Sequence, residues 1–278
     1  MARSPLKLKN ITSDRTSQKL AAEQFQITQS FIADFKDSQA LYLECKKAGT
    51  TRVAIIPFAN KSGKSYYGSV GENISTSIRS NMMNDPLIME YVKIIDRQQI
   101  DNIINEQKLS QSGLVNTETS IEIGKLLGVH QIISGEVTML IASEPSHTTS
   151  NTAHNKDVVV DKKKNIGDDG KSHTRNIYAN VKAKLTTHTL SASASAKASF
   201  QVVDTQTAEV LHSEIISGDA KFEHKWASVS GDVRALDNTR KKLTKKTQKS
   251  APSREQMIMN AVDNLTLKMT RKIKKVYK

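Results

Sequence analysis

What the chain lacks narrows the reading first. It has one cysteine, Cys45, in 278 residues. A single thiol excludes an internal disulfide and any zinc site built on cysteine pairs. Cys45 stands in LYLECKK, without the small residues that precede a lipidated cysteine. Met1 to Asn10 carries positive charge but no apolar core, so it does not read as a secretory signal. Apolar runs approaching about 18 residues are missing, which excludes a helix that spans a bilayer. Aromatic residues are only 5%, so the core is expected to be aliphatic.

Motifs that carry chemistry are equally scarce. Asn60-Lys61-Ser62-Gly63-Lys64-Ser65 follows a predicted strand and precedes a predicted helix, as a phosphate loop would. Phe58 stands where that motif needs its first glycine, and its ring would block the backbone cradle. An exposed loop is the better reading. His147, His154 and His173 share a polar stretch with Asp157, Asp161, Asp168 and Asp169. None of their spacings sets two ligands on one face of a regular element. No nucleophile and base are legible from spacing, and Glu118 and Glu122 read as solvated helix surface. The expectation is no catalytic residue, no metal and no cofactor, hence a protein that is not an enzyme.

Positive charge is what the chain has in excess, at a formal +13. Arg240, Lys241, Lys242, Lys245, Lys246 and Lys249 lie in ten residues without an acid, and Lys268, Arg271, Lys272, Lys274, Lys275 and Lys278 follow. The first run is a candidate polyanion contact. No aromatic residue is interleaved for base stacking, so a solvated helix face with a flexible basic loop is the stronger reading, and nucleic acid ranks last among partners.

Periodicity gives the organisation. Residues 13–47 place Leu20, Gln24, Ile27, Phe31, Phe35, Tyr42 and Cys45 near one stripe, interrupted at Ser38, which reads as a long amphipathic helix ended by Gly49. RVAIIPF, residues 52–58, is a strand covered on both faces, with Pro57 at its end. Helices are predicted over 69–84, from Asp96 to Leu109, and from Thr117 to Gly128, with strands at 91–95 and 131–141 and a bulge at Gly135. Gly113 is expected to take a positive φ between two helices, with Leu114 and Val115 packed beneath the turn. Residues 176–186 alternate strictly, the phase flips past Thr186–Thr189, and alternation resumes through Val202. Ser253 and Gln256 open a final helix with Ile258, Val262, Leu265, Met269, Ile273 and Val276 on one stripe. The expected fold class is α+β with α/β layering: a small sheet flanked by helices, extended β-hairpin strands, and long terminal helices. Six segments follow: a helix over 1–50, the first half of an α/β core over 51–142, a polar flexible loop over 143–175, completing strands over 176–222, a basic loop over 223–252, and a helix over 253–278.

The stretches RVAIIPFANKSG, IIDRQQIDNIINEQKLSQSGLV and EIGKLLGVHQIISGEVT together resemble the curli production assembly/transport (CsgG-like) family. Pro57, Phe58, Asp96, Arg97, Glu106, Gln107, Gly113, Leu114, Val115, Gly124, Gly128 and Gly135 are the matching positions. The match is dense over residues 52–140 and weaker over 199–218. The resemblance implies an envelope protein of Gram-negative bacteria, usually a lipoprotein with a periplasmic α/β domain. It further implies a homo-oligomer, partnered by envelope proteins or exported subunits, in the periplasm or outer membrane. The curli member forms a ring whose subunits each add two hairpins to a shared barrel. This chain departs from that pattern in its missing leader and lipid-box cysteine, its long first helix and its polar hairpin regions. The competing reading is a soluble scaffold or regulatory module that binds a partner protein, with a basic surface for anionic ligands or a membrane.

Overall fold

The computed structural model describes residues 15–32, 35–95, 117–166 and 172–277. The expected Asp96–Leu109 helix and the Gly113 turn, with Asp96, Arg97, Glu106, Gln107, Leu114 and Val115, lie outside the described residues. The elements are α1 (Arg15–Phe31), α2 (Ser38–Gly49), β1 (Thr51–Ile55), β2 (Ala59–Asn60), α3 (Val70–Met83), α4 (Pro86–Met89), β3 (Val92–Ile94) and α5 (Thr117–Leu127). They continue with β4 (Gln131–Ala142), β5 (Ser146–Ile166), β6 (Ser172–Asp204), β7 (Val210–Gly231), α6 (Asn238–Thr244) and α7 (Arg254–Tyr277). The strands form one mixed seven-stranded sheet that does not close, so the fold is α+β.

The chain divides into two compact units. The first takes the described residues up to Leu140, with Ser195–Asp219 and everything from Asn260. Its sheet runs β3-β1-β4-β6, with β1 parallel to both β3 and β4. Parallel strands need cover on both faces, and the sequence supplies it. Val53, Ala54, Ile55 and Ile56 are all fully buried. Ala54 and Ile56 pack with Ile95, Ile123, Leu127, Val129 and Ile132, beneath α5. Strand alternation turns Val53 and Ile55 to the opposite face. Helix α3 buries Val70, Ile74, Ile78 and Met82, and Arg79 donates to the Ile55 carbonyl at the strand's end.

Helix α7 covers the other end of this sheet. Ser253 caps it, accepting the Gln256 N–H at 3.1 Å as its sequence predicts. Leu265, Met269 and Ile273 are fully buried, as are Ala196 and Ala198 on β6. A Cβ on Gly218 of β7 would come within 3.0 Å of backbone atoms of Ala261 and Leu265, so the helix axis lies directly on the strand. Small residues on the strands are what permit this approach. The two buried threonines of α7, Thr266 and Thr270, donate to the carbonyls of Val262 and Thr266.

The first 50 residues depart from expectation. One helix was expected; two are found, separated by a turn at Phe35–Asp37 in which Lys36 has φ 49°. The helices double back on each other: a Cβ on Gly49 would meet the Lys19 backbone at 2.8 Å. The apolar stripe runs through the break because both arms of a helical hairpin need one.

The second unit comprises Ile141–Ala194 and Ala220–Met259. Here the expected flexible loop over 143–175 is corrected. Ser146–Ile166 is strand β5, paired antiparallel with β6 from Ser146↔Ser191 to Ile166↔Ser172. The main-chain groups of β5 that face β6 are paired along the whole ladder, and those on its outer edge are left to water, so the strand is ordered without an apolar face of its own. The basic loop over 223–252 is corrected as well. β7 runs to Gly231, and Arg240 to Thr244 lie in helix α6. Ala183, Leu185, Ala227, Ala235 and Leu236 form this unit's core, with Val181, Val229 and Leu243 against it.

The expected phase flip in β6 is real. Ala183 and Leu185 are buried at odd positions, and Ala192 and Ala194 at even ones, with Thr186 to Ser191 all half-buried between them. β7 switches in the same way, from Ile216 and Gly218 to Ala227. One continuous strand thus buries opposite faces in succession.

Candidate functional site

The resemblance-bearing residues that are described act as joints of the first unit. Phe58 is 4% exposed. Its ring lies on Gly135, where an added Cβ would come within 3.0 Å of the ring and of the Ser199 carbonyl. Gly135 thus serves a close approach. Pro57 lies two residues past the end of β1, just after Ile56 makes its bond to the Ile133 carbonyl, where no ladder N–H is required. Gly128 ends α5 with φ 57°. Gly124 faces Thr205, whose buried hydroxyl donates to the Val129 carbonyl at 2.6 Å. The Thr205 N–H donates to the His130 carbonyl, so the β6–β7 turn is tied to the α5–β4 connection. His130 accepts the Arg52 N–H through Nδ1. Its pKa is held below the ordinary value by burial first, then by Arg15 and Arg52.

The Asn60–Ser65 loop is closed on itself. Asn60 Oδ1 accepts from the Ser62 N–H and Oγ, and Lys61 pairs with Glu136. That leaves Lys61 committed to a carboxylate in place of a phosphate. Cys45 is a poor nucleophile, because burial and then Glu44 push its thiol pKa up. Among the described residues no group of three or more His, Cys, Asp or Glu is arranged to hold a metal ion.

Two surfaces remain. On the first unit, α1 and α2 expose Leu20 (55%), Ile27 (49%), Phe31 (82%) and Leu43 (55%), and Ile32 (56%) and Phe35 (41%) are exposed between the two helices. Ile27, Phe31, Ile32 and Phe35 line a groove with Gln24 and Thr28. The stripe on α7 offers no such surface, because it is spent on its own sheet. The basic tail is partly spent too. Lys272 pairs with Glu214 at 2.6 Å, Lys274 with Asp85 at 2.9 Å, and Lys268 donates to the Ser217 carbonyl.

The second unit carries most of the charge. Its sequence holds 18 Lys and Arg against 9 Asp and Glu, a formal +9 of the chain's +13. Asp237 caps α6 and binds Arg240 through its N–H and guanidinium, which holds the carboxyl below its ordinary range. Lys241 lies near Asp232. Lys242, Lys245, Lys246 and Lys249 are exposed. On the same unit the rings of His147, His188 and Trp226 stack at centroid distances of 5.1–5.4 Å, and His224 stacks on Trp226. Sequence reading missed this row because its members lie on three strands. The 147↔190 register, unknowable from local pattern, is what brings His147 beside His188.

Residues 35–156 match the family described as Curli production assembly/transport component CsgG. The resemblance read from the sequence is therefore shown for that segment. No curated protein matches the chain significantly. Among solved structures, the hypothetical protein CT253 from Chlamydia trachomatis is similar at 11% identity, over 82% of this chain and 98% of that one, with a TM-score of 0.38. The LpoB C-terminal domain from Escherichia coli is similar at 11% identity, over 60% and 81%, with a TM-score of 0.32. Lipoprotein GNA1162 from Neisseria meningitidis is similar at 12% identity, over 62% and 83%, with a TM-score of 0.30. These likenesses are too distant to carry a property of those proteins to this chain. Among the described residues, no helix is long and apolar enough to cross a membrane.

Proposed function

We propose that this chain is a non-enzymatic subunit of an oligomeric assembly of the bacterial cell envelope, of the CsgG type, working in the periplasm or at the outer membrane. The observation that carries the reading is the exposed apolar face of α1 and α2, in a chain whose residues 35–156 match that family. Phe31, Ile32 and Ile27 stand in water in the single chain, and covering them recovers about 25 cal/mol for each Å² removed from solvent. A second copy is the proposed occupant: packed on its own counterpart this face closes a two-fold dimer, and packed on a different face of the next copy it closes a ring. Exported subunits or other envelope proteins are the proposed cargo or partners.

Membrane contact, in this reading, is with a surface. A barrel wall needs an apolar band on one face of each strand. The β5–β6 ribbon has Lys156 on one face and Lys182 and Lys184 on the other. The exposed Lys242, Lys245, Lys246 and Lys249 are the proposed polyanion contact, with Arg240 committed to Asp237.

Light scattering on purified chain at tens of micromolar tests the assembly. The expected mass is a multiple of the monomer's. A clean monomer would overturn the assembly and favour the scaffold reading, in which a different protein occupies the same face.

A further inference from the structure

The second unit contains a concavity of about 410 Å³ whose chemistry none of the foregoing uses. Lys182 and Lys184 line it from β6, Asn155 from β5 and Ser230 from β7. The sheet register explains the grouping. Asn155 lies opposite Lys182 and Ala153 opposite Lys184, so their side chains share one face. Lysines two apart on a strand stand roughly 7 Å from each other along it. Ala183 and Leu185, between and beside them, point the other way into the core, which anchors the lysine backbone.

The end of β7 is fixed against this spot. Gly231 has φ 101°, and a Cβ on it would collide with the Lys182 carbonyl. The Asp232 N–H donates to that same carbonyl at 3.0 Å. The backbone thus brings Asp232 beside Lys182, yet its carboxylate is turned to its own neighbour. Arg234 Nε donates to both oxygens at 3.0–3.1 Å and Nη2 to Oδ2 at 2.7 Å, while the Arg234 N–H donates to Oδ1. The other acid on this face, Asp157, accepts from Asn180 at 2.8 Å. Among the described residues neither lysine has an ion-pair partner, and both are exposed. Two uncompensated ammonium groups, a hydroxyl and an amide thus line one concavity, in a unit whose net charge gathers anions.

We propose that Lys182, Lys184, Asn155 and Ser230 form a subsite for a phosphate-bearing ligand. The two ammonium groups meet the charge, and the Ser230 hydroxyl and Asn155 amide donate to remaining oxygens. Lysine suits this role as a compact charge on a flexible stem. The phosphate comes from a free phosphate compound or from a lipid headgroup, and both present the same oxygens.

Calorimetric titration of the full chain with inorganic pyrophosphate tests the subsite. We expect one saturable site, weakened at least about tenfold by K182Q/K184Q and less than about twofold by K162Q/K163Q, which removes the same charge at exposed positions elsewhere on β5. Circular dichroism checks that both variants fold; the lysines are exposed, so they should. Ser230→Ala supplies a neutral variant, expected to weaken binding several-fold through one lost donor. Sedimentation with phosphatidylglycerol vesicles identifies the source. Binding that pyrophosphate displaces assigns the headgroup, and pyrophosphate binding without vesicle binding assigns a soluble phosphate. Absent pyrophosphate binding, or equal loss in the two double variants, would overturn the proposal.

Discussion

Gly218→Ala discriminates the packing of α7 by the sign of its effect. Gly218 carries no left-handed φ, so alanine fits its backbone. In an uncovered strand the change would stabilise the protein by about 0.4–1 kcal/mol, because it restricts the unfolded chain. Here the added methyl meets backbone atoms of Ala261 and Leu265, which cannot rotate aside. The helix must lift. Leu265, Met269 and Ile273 are fully buried beneath it, and each such side chain is worth roughly 1.5–3 kcal/mol. A shift that forfeits about a third of that burial costs roughly 1.5–3 kcal/mol, in the range measured for overpacked cores. Urea denaturation followed by circular dichroism should show a midpoint lower by about 1 M with an unchanged slope. An unchanged or raised midpoint would mean that α7 does not rest on β7.

Three further outcomes follow from the same contacts. Because the His130 pKa is depressed in the folded state, the unfolded chain binds more protons between the two values. Its contribution is complete above about pH 6.5 and is lost as pH falls through the folded value; urea midpoints near pH 7.5 and near pH 5 should differ, and His130→Asn should flatten the difference. Thr205→Val leaves the Val129 carbonyl without its buried donor, at a cost of about 1–3 kcal/mol in the same melts; a change under about 0.3 kcal/mol would mean the bond contributes nothing net. Binding to a polyanion should weaken steeply with salt, and replacing Lys245, Lys246 and Lys249 by Gln should reduce the slope of log affinity against log salt by about 2–3; an unaltered slope would place the contact elsewhere.

How much of this was legible in the sequence depends on what ordered each segment. β1, α3, α5, β4 and α7 were legible because each buries a face whose period is written in aliphatic residues. The Ser253 cap and the end of α5 at Gly128 were readable from single residues with a mechanism. β5 was not, since it is largely polar and owes its order to the main-chain ladder with β6, whose register from Ser146↔Ser191 to Ile166↔Ser172 no local pattern announces. The break between α1 and α2 left only the interruption at Ser38 as its sign, because the stripe resumes on the far side. Helix α6 was hidden inside a charge run, where Leu243 alone reaches the core and Asp237 supplies the cap. For the phosphate subsite the sequence held half the information. Alternation over 176–186 puts Lys182 and Lys184 on one face, but only the strand pairing adds Asn155 and Ser230.

The central claim is that the α1–α2 face holds copies of this chain together. Analytical ultracentrifugation of the wild type beside Ile27→Ser/Phe31→Ser tests it most directly. Both side chains are exposed in the single chain, so the double variant should keep its circular dichroism spectrum. The account predicts that the wild type sediments as an oligomer and the double variant as a monomer at the same concentration. A wild type that is monomeric, or an oligomer that survives both substitutions intact, would contradict it.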